Sequence, residues 1–369
     1  MARSVLVVGG AGFFGHRLVA GLLNTTGIDV IVAGRDLARA EALVAESGIG
    51  RGRAFRLDTA SVTPEQLRAT GAFVVVDAAG PFQGAGYQLA RAAIAAGLHY
   101  LDLADARDFV AGFGALDDRA RAAGVVALSG ASSTPALSHA VLDRITLGWQ
   151  RVDAVEIAIS PGNRSAPRGV SVIRAILSYA GKPVRVFAGG SWTTQTGWGI
   201  PVRRAMPGIG RRFLSLCETP DLDLVPIRFN PRDTAVFRAG LELPALHLLL
   251  VAASLLVRAR LSPSLVPFAG LFRWVGERLA GFGGDKGGMI VAATGIDAAA
   301  KPVGAVWSLV AESGDGPMIP TLPALAAVRA LAEGRLTRPG AGACVGILDL
   351  DAIMREFAPY HIATRCEVT

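Results

Sequence analysis

Cysteine, lysine and histidine are all scarce in this sequence. The 369 residues include three lysines, five histidines and three widely separated cysteines, Cys217, Cys344 and Cys366, without a CxxC pair. This scarcity argues against a disulfide framework and a metal site, and it favours a reducing compartment. The net charge of +7 rests almost entirely on arginine. With no lysine-rich run and no aromatic ribonucleoprotein motif, we do not expect nucleic-acid binding.

Charged residues are also few, at 18%, against 51% hydrophobic residues and a mean hydropathy of +0.42. This balance excludes a mainly disordered chain. Single hydrophobic cores stop growing at roughly 250–300 residues, so the length predicts at least two domains. The N-terminus enters the first predicted strand without an apolar signal region, which predicts a cytoplasmic protein.

One apolar segment is too short to cross a membrane as a single helix. Residues 243–257 comprise 15 residues without a formal charge, and a helix of that length reaches about 22 Å, against about 30 Å for the hydrocarbon core. A second apolar stretch follows Arg258 and Arg260. The apolar helical segment 241–281 therefore forms a buried helix pair or dimer interface, or it makes a peripheral membrane contact or lines an apolar substrate tunnel.

Short, β-branched runs alternate with helical segments over residues 1–130. Such alternation predicts an α/β domain with a doubly wound parallel sheet, the Rossmann architecture. Longer alternating strands follow, and they predict a second, α+β domain at residues 131–345 with a mostly antiparallel sheet. A helix is expected at about 320–333, and residues 346–369 are expected to pack back on the domains as a C-terminal segment.

The first predicted strand leads into a glycine-rich turn, VVGGAGFFG, that opens a helix. Its glycines satisfy both GxGxxG and GxxGxxG, spacings that let backbone N–H groups approach a pyrophosphate and the helix pack closely on the strand. His16 and Arg17 follow where a P-loop would carry Lys and Ser or Thr, so a P-loop is excluded. The expected dinucleotide-binding positions are Gly9, Gly10, Gly12, Phe13, Phe14 and Gly15.

The end of the second predicted strand indicates which dinucleotide binds. An NAD-binding domain would carry Asp or Glu there for the ribose hydroxyl, whereas this chain has Ala33 and Gly34 followed by Arg35. Asp36 is close, but its place suits a helix cap. We therefore predict NADP, with Arg35 on the 2′-phosphate; the alternative is that Arg35 is an ordinary surface arginine.

Three further places in the first domain are expected near the cofactor, because ligands of doubly wound sheets lie beyond the carboxyl ends of the strands. Asp58 ends the third strand and either meets the adenine edge or caps a turn. Ala79, Gly80 and Pro81 follow the fourth strand, where the nicotinamide half should pass. Ser132 lies on the crossover into the second domain and is predicted to touch the nicotinamide amide.

Several motifs together resemble the saccharopine dehydrogenase-like family of NADP-binding oxidoreductases: VVGGAGFFG, SGASSTPALS, GGDKGGMIV and above all AGPFQG with HYLDLADA. The resemblance implies a Rossmann domain, a second domain that closes over the cofactor, and a homodimer. Similar members include saccharopine reductases, which act on imines, and trans-acting enoyl reductases, which act on acyl chains. Ala104 and Asp105 stand where family members often carry Gly and Glu, which argues against an amino-acid substrate.

The candidate catalytic residues are Tyr100, Asp102 and Asp105. By strand alternation, Tyr100 and Asp102 share one face near the carboxyl end of the fifth strand, and Asp105 lies just beyond it. They are predicted to bind the substrate or donate a proton; alternatively, Tyr100 packs in the core and Asp102 caps a backbone turn. His99 points to the opposite face and is interpreted as a satisfied core or interface histidine.

These residues predict an NADP-dependent oxidoreductase that transfers hydride to a C=N or C=C bond of a small or acyl substrate. The apolar segment favours an acyl substrate. Since the sequence secures no catalytic acid, a second function stays open: an NADPH-binding sensor or scaffold protein without turnover, either free or associated with a membrane.

Overall fold

The computed structural model describes residues 3–47, 50–165 and 169–369. They form two units. The first unit comprises the described residues of Met1–Leu137 together with Met318–Glu356, and the second comprises those of Ser138–Pro317 together with Phe357–Thr369. These bounds differ from the predicted domains, because residues 318–356 belong with the N-terminal sheet.

Strands and helices alternate in the first unit and are intermixed in the second. The strands are β1 (Arg3–Val8), β2 (Ile28–Gly34), β3 (Gly52–Arg56), β4 (Ala72–Asp77), β5 (His99–Asp102), β6 (Val126–Ser129), β7 (Arg151–Ser160), β8 (Pro183–Ala188), β9 (Ser191–Thr196), β10 (Val202–Met206), β11 (Gly210–Leu216), β12 (Thr234–Ala239), β13 (Gly287–Ile296), β14 (Pro302–Ala311), β15 (Gly340–Ala343) and β16 (Ile362–Val368). The helices are α1 (Phe13–Leu23), α2 (Leu37–Ser47), α3 (Pro64–Ala69), α4 (Gln88–Ala95), α5 (Arg107–Ala111), α6 (Asp117–Ala122), α7 (Ser138–Ile145), α8 (Val170–Tyr179), α9 (Asp221–Phe229), α10 (Pro244–Arg258), α11 (Ala269–Arg278), α12 (Leu322–Ala332) and α13 (Leu350–Arg355).

The sheet of the first unit is parallel throughout, in the order β15-β6-β5-β4-β1-β2-β3. This order confirms the predicted Rossmann architecture. The direction of the sheet order changes between β1 and β4, which are neighbours although β2 and β3 come between them in sequence. Val8 pairs with Asp77, and Asp77 pairs with Asp102. The loops after β1, β4 and β5 therefore leave the same edge of the sheet, where such folds bind nucleotides.

The segment 318–356 is held in the first unit by side-chain packing and by strand pairing. The helix α12 packs on α1, where a Cβ at Gly21 would lie 3.1 Å from Leu325 Cδ2. Arg329 Nη2 donates to Thr25 Oγ1 at 3.0 Å. Farther along the segment, β15 pairs in parallel with β6. The predicted helix near 320–333 is therefore confirmed, and it covers one side of the nucleotide unit.

The sheet of the second unit is mixed and mostly antiparallel, as the longer alternating strands predict. Its main path runs β10-β11-β12-β7-β13-β14-β16, with β8 and β9 branching from β12. The pair β7 and β12 is parallel. Residues 357–369 add β16 beside β14. Ala158, Met206, Ile209, Leu214 and Ile290 form a buried apolar cluster in this unit.

The apolar segment 241–281 is helical, as predicted, and forms α10 and α11 in the second unit. One side of α10 is buried through His247, Leu250, Val251, Ser254 and Val257. His247 Nε2 lies 3.0 Å from Ser215 Oγ, which ties the helix to β11. Across the described ranges, none of the helices combines the length and the hydropathy that a membrane crossing requires.

Candidate nucleotide and substrate site

The glycine turn after β1 is too tightly packed for larger residues. A Cβ at Gly15 would lie 2.1 Å from the carbonyl oxygen of Gly9, and a Cβ at Gly9, whose φ is +74°, would lie 2.8 Å from Ala79 Cα. The Gly9 oxygen accepts a hydrogen bond from Gly12 N at 2.8 Å. Glycine at positions 9 and 15 therefore lets the turn, the helix and the loop after β4 approach one another.

The N-terminus of α1 faces out of this turn. Gly12 is the cap residue, and no side chain of the described residues caps it by a hydrogen bond. The first turn contains Phe13, Phe14 and Gly15 and no acidic residue. An α-helix leaves its first N–H groups without intrahelical partners and carries partial positive charge at that end. The turn thus fits an anionic diphosphate, as the spacing predicts.

Two aromatic rings and an arginine border the glycine turn. Phe13 and Phe14 are half-buried, and their rings make an edge contact with centroids 5.1 Å apart. The Arg17 guanidinium lies 4.0 Å from the centroid of the Phe13 ring, and its Nη1 donates to the Phe13 carbonyl at 2.6 Å. Burial lowers the pKa of Arg17. Sequence reasoning used Arg17 only to exclude a P-loop and missed its place beside the turn.

The ends of β2 and β3 meet where the 2′-phosphate of NADP is expected. Leu57 N donates to the Gly34 carbonyl at 2.9 Å, which places Arg35 and Asp58 just beyond this bond. Arg35 is exposed. Asp36 Oδ1 accepts from Arg39 N at 3.1 Å, so Asp36 caps α2 as predicted. Asp58 Oδ1 accepts from Ala60 N at 3.1 Å, which is the turn-capping alternative stated for it.

The loop after β4 passes directly beside the glycine turn. Ala79, Gly80 and Pro81 are exposed, and the Gly80–Pro81 peptide bond is cis. These positions are open to a ligand, in keeping with the prediction that the nicotinamide half passes here. Ser132 is buried, and its Oγ donates to the Pro320 carbonyl at 2.9 Å. The Ser132 hydroxyl therefore already has one partner within the first unit.

Two carboxyl groups and a tyrosine lie buried under the carboxyl ends of β4 and β5. The Tyr100 hydroxyl donates to Asp77 Oδ2 at 3.5 Å, and the Tyr100 ring stacks on Phe113. Asp102 is 0% exposed, and its Oδ1 accepts from Gly130 N at 2.7 Å, from Ala104 N at 3.0 Å and from Ser129 Oγ at 3.0 Å. The structure thus places Tyr100 in the core and Asp102 as a cap of two backbone turns.

Burial controls the protonation of the two buried carboxyl groups, Asp102 and Asp77. It raises the pKa of Asp102 to about 7, although the backbone bonds from Gly130 and Ala104 oppose the shift. It raises the pKa of Asp77 to about 6 against the bond from Ala79 N. Asp102 Oδ2 has no hydrogen-bond partner among the described residues. The neutral form of Asp102 is therefore favoured below about pH 7, since a buried carboxylate loses its hydration.

Asp105 differs from Tyr100 and Asp102 because it is exposed. Its Oδ1 accepts from Gln83 Nε2 at 3.3 Å, which connects the loop after β5 to the loop after β4. Desolvation raises the pKa of the Asp105 carboxyl, and the Gln83 bond opposes this. Gln83 Oε1 is buried without a partner in the described part of the chain. Asp105 and Gln83 together present a carboxyl group and an amide at the edge of the sheet.

Sequence reasoning missed the roles of Asp77 and Gln83. The signal for Asp77 is its place at the end of β4, directly paired with Asp102 at the end of β5. The signal for Gln83 is its place in the same loop as Ala79, Gly80 and Pro81. His99 was interpreted as a satisfied histidine, and this is confirmed, because its Nδ1 accepts from Val126 N at 3.0 Å.

Comparisons with known proteins bear on this site. Residues 5–128 match the family model of the saccharopine dehydrogenase NADP binding domain. The chain is similar to apo saccharopine dehydrogenase (L-Glu forming) from Saccharomyces cerevisiae, with a TM-score of 0.71, 14% identity and 100% of both chains covered. It is also similar to a dehydrogenase from Chromobacterium violaceum, with a TM-score of 0.43, 13% identity and coverage of 97% and 93%. The curated proteins searched by sequence contain no match.

The family match spans the glycine turn, Arg35, the loop after β4 and the buried pair. It supports NADP as the cofactor, which confirms the prediction made from the sequence. The structural likeness to the yeast enzyme shows the same fold. Residues 5–128 are therefore similar to the NADP binding domain of saccharopine dehydrogenases.

Proposed function

We propose that this protein is an NADP-dependent oxidoreductase that reduces a C=N or C=C bond of a small or acyl substrate. NADPH supplies the hydride in such a reaction. The observation that carries the proposal is the exposed Asp105 carboxyl, which is hydrogen-bonded to Gln83 beside the Gly80–Pro81 turn. A proton donated by Asp105 would then come from beside the expected path of the nicotinamide.

The residues of this chain would divide the work as follows. The glycine turn and the N-terminus of α1 would hold the diphosphate, and Arg35 would hold the 2′-phosphate. Asp105 would donate the proton to the nitrogen or carbon left electron-rich by hydride transfer, while Gln83 fixes the Asp105 carboxyl. Asp102 is proposed as a positioning residue, because it fixes the loops after β5 and β6 through Ala104 N and Gly130 N.

Changing Asp105 to Asn is expected to slow NADPH oxidation by at least about a hundredfold, because a positioned general acid contributes about 10²–10⁴-fold. NADPH binding should stay unchanged. The measurement is stopped-flow oxidation of bound NADPH with a panel of imines and enoyl thioesters. Asp108→Asn, an exposed carboxyl on α5, is the matched control and should keep full activity.

Two results would count against this assignment. Equal turnover in Asp105→Asn and the wild type would remove Asp105 from the reaction. Tight NADPH binding without oxidation by any substrate of the panel would favour the sensor or scaffold protein. One observation already speaks for that second function: Tyr100 and Asp102 are 1% and 0% exposed, so neither is open to a substrate in this structure.

Changing Arg35 to Gln is expected to weaken NADPH binding by about ten- to a hundredfold and to leave NADH binding unchanged. The reason is the loss of a charge-assisted hydrogen bond to the 2′-phosphate, worth about 1.5–3 kcal/mol. Fluorescence titration with both reduced cofactors measures the effect. Arg119→Gln, an exposed arginine on α6, serves as the control; an equal loss for NADPH and NADH in Arg35→Gln would contradict the assignment.

The cytoplasmic location and the homodimer remain predictions from the sequence. The choice between an imine and an enoyl substrate also remains a prediction, and the substrate panel addresses it directly.

A further inference from the structure

The surface formed by α10, α11 and their connection is strongly apolar. We call it the apolar patch and define it by six of its exposed large side chains, which are 43–77% exposed: Leu248, Leu255, Leu261, Leu271, Trp274 and Phe282. All belong to the second unit. Single exposed apolar residues are ordinary, but a contiguous set marks an interaction surface.

The outer face of α10 lacks the polar residues of an ordinary surface helix. The residues opposite its buried side are Ala245, Leu248, Leu249, Ala252 and Leu255, all exposed. A helix on the surface of a globular protein carries charged and polar residues there. The first charge of α10 is Arg258, its last residue. The outer face is therefore unsuited to water over most of its length.

A groove separates α10 from α11 and extends the apolar surface inward. Its volume is about 570 Å³, and its lining includes Leu249 and Leu256 from α10 and Leu271, Phe272 and Val275 from α11. The two helices thus present one continuous surface with an opening between them.

The charges within residues 244–282, the segment that carries the apolar patch, are nearly all positive. Residues 244–282 contain four arginines, Arg258, Arg260, Arg273 and Arg278, and one carboxylate, Glu277. All five are exposed. Arg273 Nε lies 3.4 Å from Glu277 Oε1 and offsets its charge. The segment therefore has a net positive charge of three, from the other three arginines. A partner for this surface has to be apolar in its interior and anionic at its boundary.

We propose that the apolar patch binds the surface of a membrane containing anionic phospholipids. Headgroup phosphates would meet the arginines, and the acyl boundary would meet the leucines of α10 and α11. Trp274, 53% exposed, has the amphipathic ring that is enriched at membrane–water interfaces. At about 22 Å, α10 is shorter than the hydrocarbon core and lies along the surface.

Charge complementarity selects a lipid over a second copy of the chain. A two-fold symmetric contact places the same patch of both copies face to face. Both faces of that contact would then carry the same excess of arginine, with Glu277 as the single acid of residues 244–282 in each copy. An anionic bilayer offers the opposite charge. This inference depends on the second unit alone and holds whether or not the chain is a reductase.

The test is flotation of the 369-residue protein with phosphatidylcholine vesicles, prepared with and without phosphatidylglycerol. We expect binding to the anionic vesicles that weakens with salt. Arg258→Gln combined with Arg260→Gln should weaken it about 25-fold, because each arginine near an anionic surface contributes about fivefold. Leu255→Gln combined with Leu271→Gln should weaken binding to both kinds of vesicle.

Matched controls lie elsewhere in the second unit. Leu147 is 80% exposed, and Arg365 is exposed on β16; Leu147→Gln and Arg365→Gln should bind vesicles as the wild type does. Circular dichroism shows whether each variant is folded. Three results would overturn the proposal: wild-type protein that does not float with anionic vesicles, equal losses in controls and patch variants, or a dimer that Leu255→Gln dissociates while vesicle binding is absent.

Discussion

Gly15→Ala is expected to weaken NADPH binding by about a hundredfold or more. The new Cβ would lie 2.1 Å from the Gly9 carbonyl oxygen, far inside van der Waals contact. That oxygen also accepts the hydrogen bond from Gly12 N, so moving it opens the turn that aims backbone N–H groups at the diphosphate. Overpacking of this kind costs about 1–3 kcal/mol, occasionally more, and about 2.7 kcal/mol corresponds to a hundredfold.

Gly114→Ala is the matched control for this variant. A Cβ at Gly114 would meet nothing within 4 Å, and the residue lies in the same unit, away from the turn. NADPH fluorescence titration measures binding, and circular dichroism measures folding. A folded Gly15→Ala protein with wild-type affinity would show that the glycine turn does not hold the cofactor.

Asp102→Ala is expected to destabilise the first unit by about 3–5 kcal/mol. The change leaves Gly130 N, Ala104 N and Ser129 Oγ without their shared acceptor, and each unsatisfied buried donor costs about 1–3 kcal/mol. All five tryptophans lie in the second unit. Tryptophan fluorescence therefore reports that unit, and hydrogen–deuterium exchange of β4, β5 and β6 has to measure the effect in the first.

Asp102→Asn is the control. The pH dependence of its stability separates the effect of the Asp102 charge from the effect of the hydrogen bonds that Asp102 accepts. The pKa of Asp102 is about 7 in the folded chain against an ordinary value of 3.8. Between these values the folded state holds a proton that the unfolded state has released, so stability falls as pH rises from about 4 to 7. Asn keeps the acceptor without ionising, so stability should match the wild type near pH 4 and exceed it at pH 8. Stability as low as that of Asp102→Ala at both pH values would refute this account.

The nucleotide unit is largely predictable from the sequence because its signals are local. Buried parallel strands such as β1 and β4 are short β-branched runs, and the turn after β1 needs glycine for steric reasons alone. The strand β15 escaped prediction because Gly340–Ala343 contains only glycine and alanine. Pairing with β6, distant in sequence, makes it a strand.

In the second unit, the ten-residue strands β7, β13 and β14 are the long strands that the sequence predicts, whereas a strand such as β9 is hard to recognise. The sequence of β9, SWTTQT, is exposed over most of its length. The alternation of buried and exposed residues that identifies a strand is therefore weak there. Such strands depend on their neighbours for hydrogen bonds, which local sequence does not encode.

At the candidate site, the types and the chain order of the residues at the end of β5 were predictable, but the exposure of their side chains was not. Tyr100, Asp102 and Asp105 were all placed correctly at the end of β5. Whether a side chain at that end turns inward or outward depends on Asp77, Phe113 and Gly130, which come from other elements. Long-range packing thus separates the buried pair from the exposed Asp105.

The return of residues 318–356 to the first sheet has a consequence for biosynthesis. During translation, β1 to β6 leave the ribosome early, whereas α12 and β15 emerge only after residues 138–317 have been translated. Until then, the nascent nucleotide unit lacks the strand that pairs with the edge of β6 and the helix that covers one side of α1. A chain truncated before residue 318 would retain the glycine turn, Arg35 and Asp105, and yet it would lack the pieces that complete the unit carrying them.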